Sequence, residues 1–353
     1  MSAHRPPTSR HRGLAPAARV LRGATVLLLG TLALGGCGLR LETPPPVEPS
    51  PDAVEQVRGR TVADALTLVD AASATAAQGV EEPVRAVLDD VTAFSTRHVE
   101  ELGGVYDSGL PDPSPSASPA ASEAPAADAA GLLALLVDGA DRAVIDADEV
   151  PDPQLARLVA SVAVARDGLA DRLAAAAGVP RPEPAPPAAT DDGSAPQDTG
   201  AVDDGATDAA APDPAGPAAL ALAHDEAAWT FTVLAARGAD DVRAAMLAAA
   251  ARHRAASDTW ARTAGVVGRP SDPRRAAYAL PAGLDDPAVV QGLPRSLEQA
   301  VADASATAVA GADAGGRREA VESLRTATSA AAAWGAAPVP FPGMPELATV
   351  PVG

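Results

Sequence analysis

A chain of 353 residues with 46 acidic against 27 basic side chains carries a formal charge of −19; such a surface repels phosphate polymers and anionic headgroups, which argues against nucleic-acid binding and against membrane attachment through basic residues. A single cysteine excludes an internal disulfide and any metal site built from several thiolates. With only three Trp, two Tyr and three Phe, the core has to be made of Ala, Leu and Val; alanine is the strongest helix former and small side chains let helices approach closely, so the expected class is all-α.

The chain opens with Arg5, Arg10, Arg12, Arg19 and Arg22 and no acidic residue, followed by an apolar run from about Ala24 to Leu34 and then Leu34-Gly35-Gly36-Cys37. This is the layout of a signal peptide over residues 1–36. The apolar run falls short of the roughly 20 residues that a helix needs to cross a bilayer. Leu-Gly-Gly-Cys resembles a bacterial lipobox, which implies that the Cys37 thiol receives a diacylglyceryl group before cleavage exposes its amine. Stable anchoring takes two acyl chains, at about 0.8 kcal/mol per buried methylene, and a diacylglyceryl thioether supplies both. The expected location is therefore the extracytoplasmic face of the cell membrane, with membrane lipid as the partner of Cys37. Residues 37–56, including "LETPPPVEPSPD", hold too many prolines for a helix and read as a semi-rigid spacer.

Helical patterning follows at 59–79, 82–103, 130–147 and 153–177, giving a bundle over 57–179 with a Pro/Ser-rich insert at about 108–128. A second set at 217–237, 240–264, 286–310 and 316–334 gives a bundle over 217–346, with a tail at 347–353. The acidic, proline-rich stretch 180–216 between them is too polar to bury a core and reads as a disordered linker. Each half has its longest connection between its second and third helices, as in a ferritin-like bundle with one crossover. The halves also resemble each other in order: "STRHVEEL" (95–102) falls against "AARHRAAS" (250–257), and "AAAAGVPRPEP" (174–184) against "AAAWGAAPVPFP" (331–342). A linker of about 35 residues has a root-mean-square span of roughly 30–35 Å, so the two bundles are expected to pair within one chain.

From about 217 to 346 the chain resembles a ferritin-like domain family of unknown function found in high-GC Gram-positive bacteria. The residues that carry the resemblance are "RRAAYALP" (274–281), "LDDPAVVQGLPRSLEQAVADA" (284–304) and "AAAAWGAAPVPFPGMPE" (330–346). The resemblance implies a ferritin-like four-helix bundle and no known reaction.

Di-iron bundles take one Glu from each of two helices and a Glu-x-x-His pair from each of the others. Here Glu226 shares a stripe with Leu222, Trp229 and Val233; His253 shares one with Met246, Ala249 and Trp260; Glu298 flanks Leu293, Leu297 and Val301. Ala250 stands where the carboxylate three before His253 belongs, and Glu322 with Arg325 reads as an exposed ion pair. In the first half His98 lines up with Val91, Phe94 and Leu102, Ser95 replaces the carboxylate, and Asp70 and Asp141 are the acidic candidates near the other ligand positions. The simplest reading of His98 and His253 is a buried, hydrogen-bonded imidazole in each repeat, with His224 at the bundle rim. The expected role is a membrane-anchored lipoprotein whose bundle is a protein-interaction or scaffold module for an envelope protein, with no catalytic residue and no cofactor. The alternative is a metal-binding protein or metal-dependent oxidase holding iron or manganese on Glu226, His253 and Glu298. Phosphate loops, nucleophile elbows and zinc helices are absent from the sequence.

Overall fold

The computed structural model describes residues 51–106, 128–182, 216–280 and 282–348. Cys37, the leader and most of the spacer, the insert and the linker lie outside these residues. The described chain forms eight α-helices: α1 (Ala53–Ala76), α2 (Glu82–Glu101), α3 (Ala129–Glu149), α4 (Pro153–Ala177), α5 (Pro217–Ala235), α6 (Asp240–Thr263), α7 (Pro287–Gly311) and α8 (Arg318–Ala333), with a short 3-10 turn at Pro345–Leu347. There is no strand among the described residues, and none of their helices is long and apolar enough to cross a membrane.

The helix starts are written in the sequence. The side chains of Asp52, Asp128, Asp152 and Asp286 each accept a hydrogen bond from backbone N–H groups in the first turn of α1, α3, α4 and α7, satisfying donors that have no partner within the helix. Proline in the first turn of α2, α4, α5 and α7 costs nothing there, because those N–H groups are free anyway. The spacer expected to run to residue 56 is corrected by one of these caps: Asp52 starts α1 at Ala53.

The first half pairs α1 with α2 and α3 with α4, and closes into a bundle by packing α1 on α3 and α2 on α4. Its core is aliphatic, with Leu68, Leu88, Val91, Leu132, Leu136, Leu169 and Leu173 buried together. Truncating any one of these leucines to alanine costs about 2–5 kcal/mol in a close-packed interior. In the second half α5 pairs with α6 and α7 with α8, α5 lies against α7, and Phe231, Leu234, Met246, Val301 and Leu324 form the core.

The halves share buried surface: α4 packs on α7 and α8, and Val159, Ala160 and Ala163 of α4 sit in one cluster with Leu220, Val309 and Val321. A polar clasp closes one end. Arg317, 2 % exposed, donates to the carbonyls of Ala147 (3.0 Å) and Val150 (2.6 Å). Its backbone N–H donates to Asp148 Oδ1 at 2.8 Å, and Arg318 Nε to Asp148 Oδ2 at 2.8 Å. A cation set on the carbonyl end of α3, and a carboxylate at the N–H end of α8, both complement the helix dipoles.

Candidate functional site

The interior of the second half holds a polar cluster drawn from four helices. Leu220, His224, Ala227, Phe231 and Leu234 form the buried stripe of α5, which turns His224 inward and places its Nδ1 2.9 Å from Nδ1 of His253 on α6. His253 Nε2 lies 3.1 Å from Oε1 of Glu298 on α7, and Arg252 donates to the same oxygen at 2.5 Å. Of the two Nδ1 atoms one donates and the other accepts. His224 Nε2 then faces the Ser323 hydroxyl of α8 at 3.5 Å, and Ser323 bonds to Ser305 at 2.8 Å. Phe231 stacks on the His253 ring with centroids 5.5 Å apart. Burial, then the neighbouring His253 and Arg252, pushes the His224 imidazole down to about 3, so it is neutral near pH 7.

Of the expected ligand set, the structure brings His253 and Glu298 together and leaves Glu226 out: Glu226 is exposed on α5, two residues from the inward His224. The correction follows from helix phase, since the stripe through Leu220 and Phe231 buries position 224 and not 226. Asp70 and Asp141 are exposed as well. Glu322 and Arg325 pair at 3.5 Å, with Arg325 also reaching Asp167 of the first half at 3.3 Å. The ligands of an iron or manganese centre do not fit this arrangement. The two histidines use Nδ1 on each other, Arg252 already holds Glu298 Oε1, and only Oε2 is left buried without a partner. Among the described residues no group of three or more His, Cys, Asp or Glu side chains is arranged to hold a metal ion.

The first half fills its interior differently. Arg166 on α4, 0 % exposed, donates to the carbonyls of Gly139 (3.1 Å) and Thr61 (2.9 Å) and lies 3.5 Å from Asp64. Burial pulls its guanidinium down to about 10. Sequence reading passes over it, because an Arg in an Ala-rich helix is ordinarily a solvated one. Its signal is position: Val159, Val162, Val164 and Leu169 leave α4 buried on nearly all sides.

A second site lies at the junction. After α8 the chain turns at Gly335 (φ 82°) and returns as a proline-rich strap. The strap closes in a turn in which Met344 N–H donates to Phe341 O at 3.2 Å; Pro342 followed by Gly343 at φ 75° is the residue pattern of a type II turn. A side chain at Gly343 would also place Cβ 2.7 Å from Ala302 O and from Ala306 Cβ. Phe341, 3 % exposed, clusters with Val162 and Met344 and meets the His98 ring edge-on at 5.2 Å. Three first-half donors read the strap's carbonyls: His98 Nε2–H to Pro340 O (2.8 Å), Ser161 Oγ–H to Pro342 O (2.7 Å) and Arg157 to Gly343 O (3.2 Å). Arg157 also pairs with the Glu346 carboxylate at 2.6 Å. The inward, hydrogen-bonded His98 is as its stripe predicts, but its partner comes from the other half. Burial, then the Arg166 charge, pushes this imidazole down to about 3, so it donates as the neutral ring. A cleft of about 750 Å³ runs beside the strap, lined among others by Phe94, Asp167, Arg172, Asp303 and Arg325.

Comparison with known proteins adds one match. No curated protein and no solved structure matches the chain. The strap's bonded carbonyls fall inside the matched region and the three side chains that donate to them outside it: residues 215–346, the second half, match the family model described as Domain of unknown function (DUF4439).

Proposed function

We propose that this chain is a membrane-anchored extracytoplasmic lipoprotein whose helical body serves as a protein-interaction or scaffold module. The observation that carries the interaction reading is the junction, where an extended segment lies bound on one half with a 750 Å³ cleft beside it. The interior of the second half favours binding over chemistry, since its histidines, glutamate and arginine are spent on one another. The anchor rests on Leu34-Gly35-Gly36-Cys37, with the only thiol in the chain at the end of the leader. A diacylglyceryl anchor followed by a proline-rich spacer would hold such a module at the extracytoplasmic face of the cell membrane, within reach of envelope proteins. Intact mass of the envelope-derived protein tests the anchor: a mature chain starting at Cys37 with the mass of a lipid thioether is expected, and a Cys37→Ala chain should leave the membrane fraction. Native pull-down tests the module; recovery of a stoichiometric envelope protein is expected, and two metal ions per purified chain without any partner would overturn it.

A further inference from the structure

The contacts on the strap have the form of peptide recognition. Proline at 338, 340, 342 and 345 removes four backbone N–H groups, and the receiving face supplies donors only: an imidazole N–H, a hydroxyl and a guanidinium, each on a carbonyl. An aromatic side chain fills a buried socket between them and a charged pair, Arg157 with Glu346, marks the far end. Proline-rich ligands are read elsewhere in this way, by donors to their carbonyls and pockets for their side chains, because little conformational entropy is left to lose. The run that ties the strap to α8 is lightly held: Gly335, Ala337, Pro338 and Val339 are exposed.

We propose that the α2–α4 face of the first half, with Ala302 and Ala306 of α7 opposite it, is a binding site for a Pro-Phe-Pro-Gly segment carrying a carboxylate beyond its turn, and that its occupant in trans is the strap of a second copy of this chain. The inference rests on the interaction reading above and names its partner. A second copy is the occupant because every donor on the face is already matched to this sequence, and because exchanging a tethered terminal segment between identical chains creates no new interface chemistry. In one isolated chain the tether keeps the local concentration of the strap high, so the cis arrangement dominates in dilute solution. Copies crowded on a membrane surface compete with it.

The test uses the full chain and a fluorescent peptide with the sequence of residues 336–348, AAPVPFPGMPELA. The Phe341→Ala chain, its own strap weakened, is expected to bind the peptide at least tenfold more tightly than the unaltered chain. A peptide with Ala in place of Phe should lose at least tenfold on it. A chain with a protease site in the exposed tether avoids any core substitution: after cleavage, one labelled peptide per chain should replace the severed strap. Equal binding to both chains, indifference to the Phe, or no uptake after cleavage overturns the binding site. Light scattering tests the occupant. Refolding at high concentration should give dimers that excess peptide resolves to monomers, and monomers at every concentration overturn exchange. None of these readouts depends on the lipid or on an envelope partner, so a failure here is separable from a failure of the anchor or the pull-down.

Discussion

His98 and His253 are each buried on the second helix of their half, yet their rings do different things. His253 is one link in a closed internal chain running from Arg252 and Glu298 to His224 and Ser323. His98 reaches out of its own bundle to hold the backbone of the other half's strap. The interior cations differ in parallel: Arg166 is wholly buried on carbonyls, whereas Arg252 caps Glu298 with its side chain 43 % exposed. The lesson is that a buried imidazole on the second helix of a bundle can serve either stability within that bundle or adhesion between bundles. Which it does is set by what covers it.

Replacing the two arginines breaks the comparison most sharply. Arg166→Ala removes a buried guanidinium that is a second donor to two helix carbonyls and leaves a hole in the first half, so a loss of about 3–5 kcal/mol is expected, as for truncation of a large buried side chain. Arg252→Ala exposes Glu298 to water that takes over part of the lost contact, and about 1–2 kcal/mol is expected. Urea midpoints of the two variants check the order; equal losses would mean that the two interiors are not organised differently.

Acid separates the histidines from the rest. His98 and His224 are held neutral, their folded values near 3 lying below the usual 6.5. The unfolded chain therefore binds more protons below pH 6.5, and stability falls with pH from there towards 3. Each such imidazole contributes a slope of about 1.4 kcal/mol per pH unit, so roughly 2 kcal/mol per ring is lost between pH 6.5 and 5. Thermal melts across that window check it, and His98→Gln should remove one proton's share of the slope. A slope unchanged in the variant would contradict the buried, neutral ring.

Glu298→Gln sharpens the second half alone. It keeps the shape and removes the charge that Arg252 and His253 donate to, with a loss of about 1–2 kcal/mol expected from denaturant unfolding. Glu322→Ala should be the mildest, within about 0.5 kcal/mol, because its pair with Arg325 is a solvent-facing one. A larger effect would mean that Arg325 depends on it to reach Asp167 across the junction.

Much of this was legible in one dimension. Apolar patterning places all eight helices in the observed order but starts α1 at 59, because the Asp52 cap that begins it at Ala53 lies at the end of a proline-rich run. The stripe of α6 turns His253 inward, whereas Glu298 only flanks its own stripe and is shown buried by the packing. Glu226 illustrates the limit: the first turns of α5 are apolar on nearly every side, so the sequence does not distinguish a stripe through Trp229 and Val233 from the one through His224 and Phe231. Position 224 is two residues, or about 200°, away from 226, and so faces the opposite side.

Local periodicity and composition are enough for the all-helical class, the element order, the two halves and the inward His98 and His253. It takes the packed bundles to show that Glu298 is buried, that His224 and not Glu226 completes the cluster, that Arg166 lies in the core, and that Phe341 and the Pro342–Gly343 turn lock onto Ser161 and His98. Ser161 and Pro342 are 181 residues apart. No periodicity carries across that distance: the pairing exists only once two bundles have folded and their faces meet.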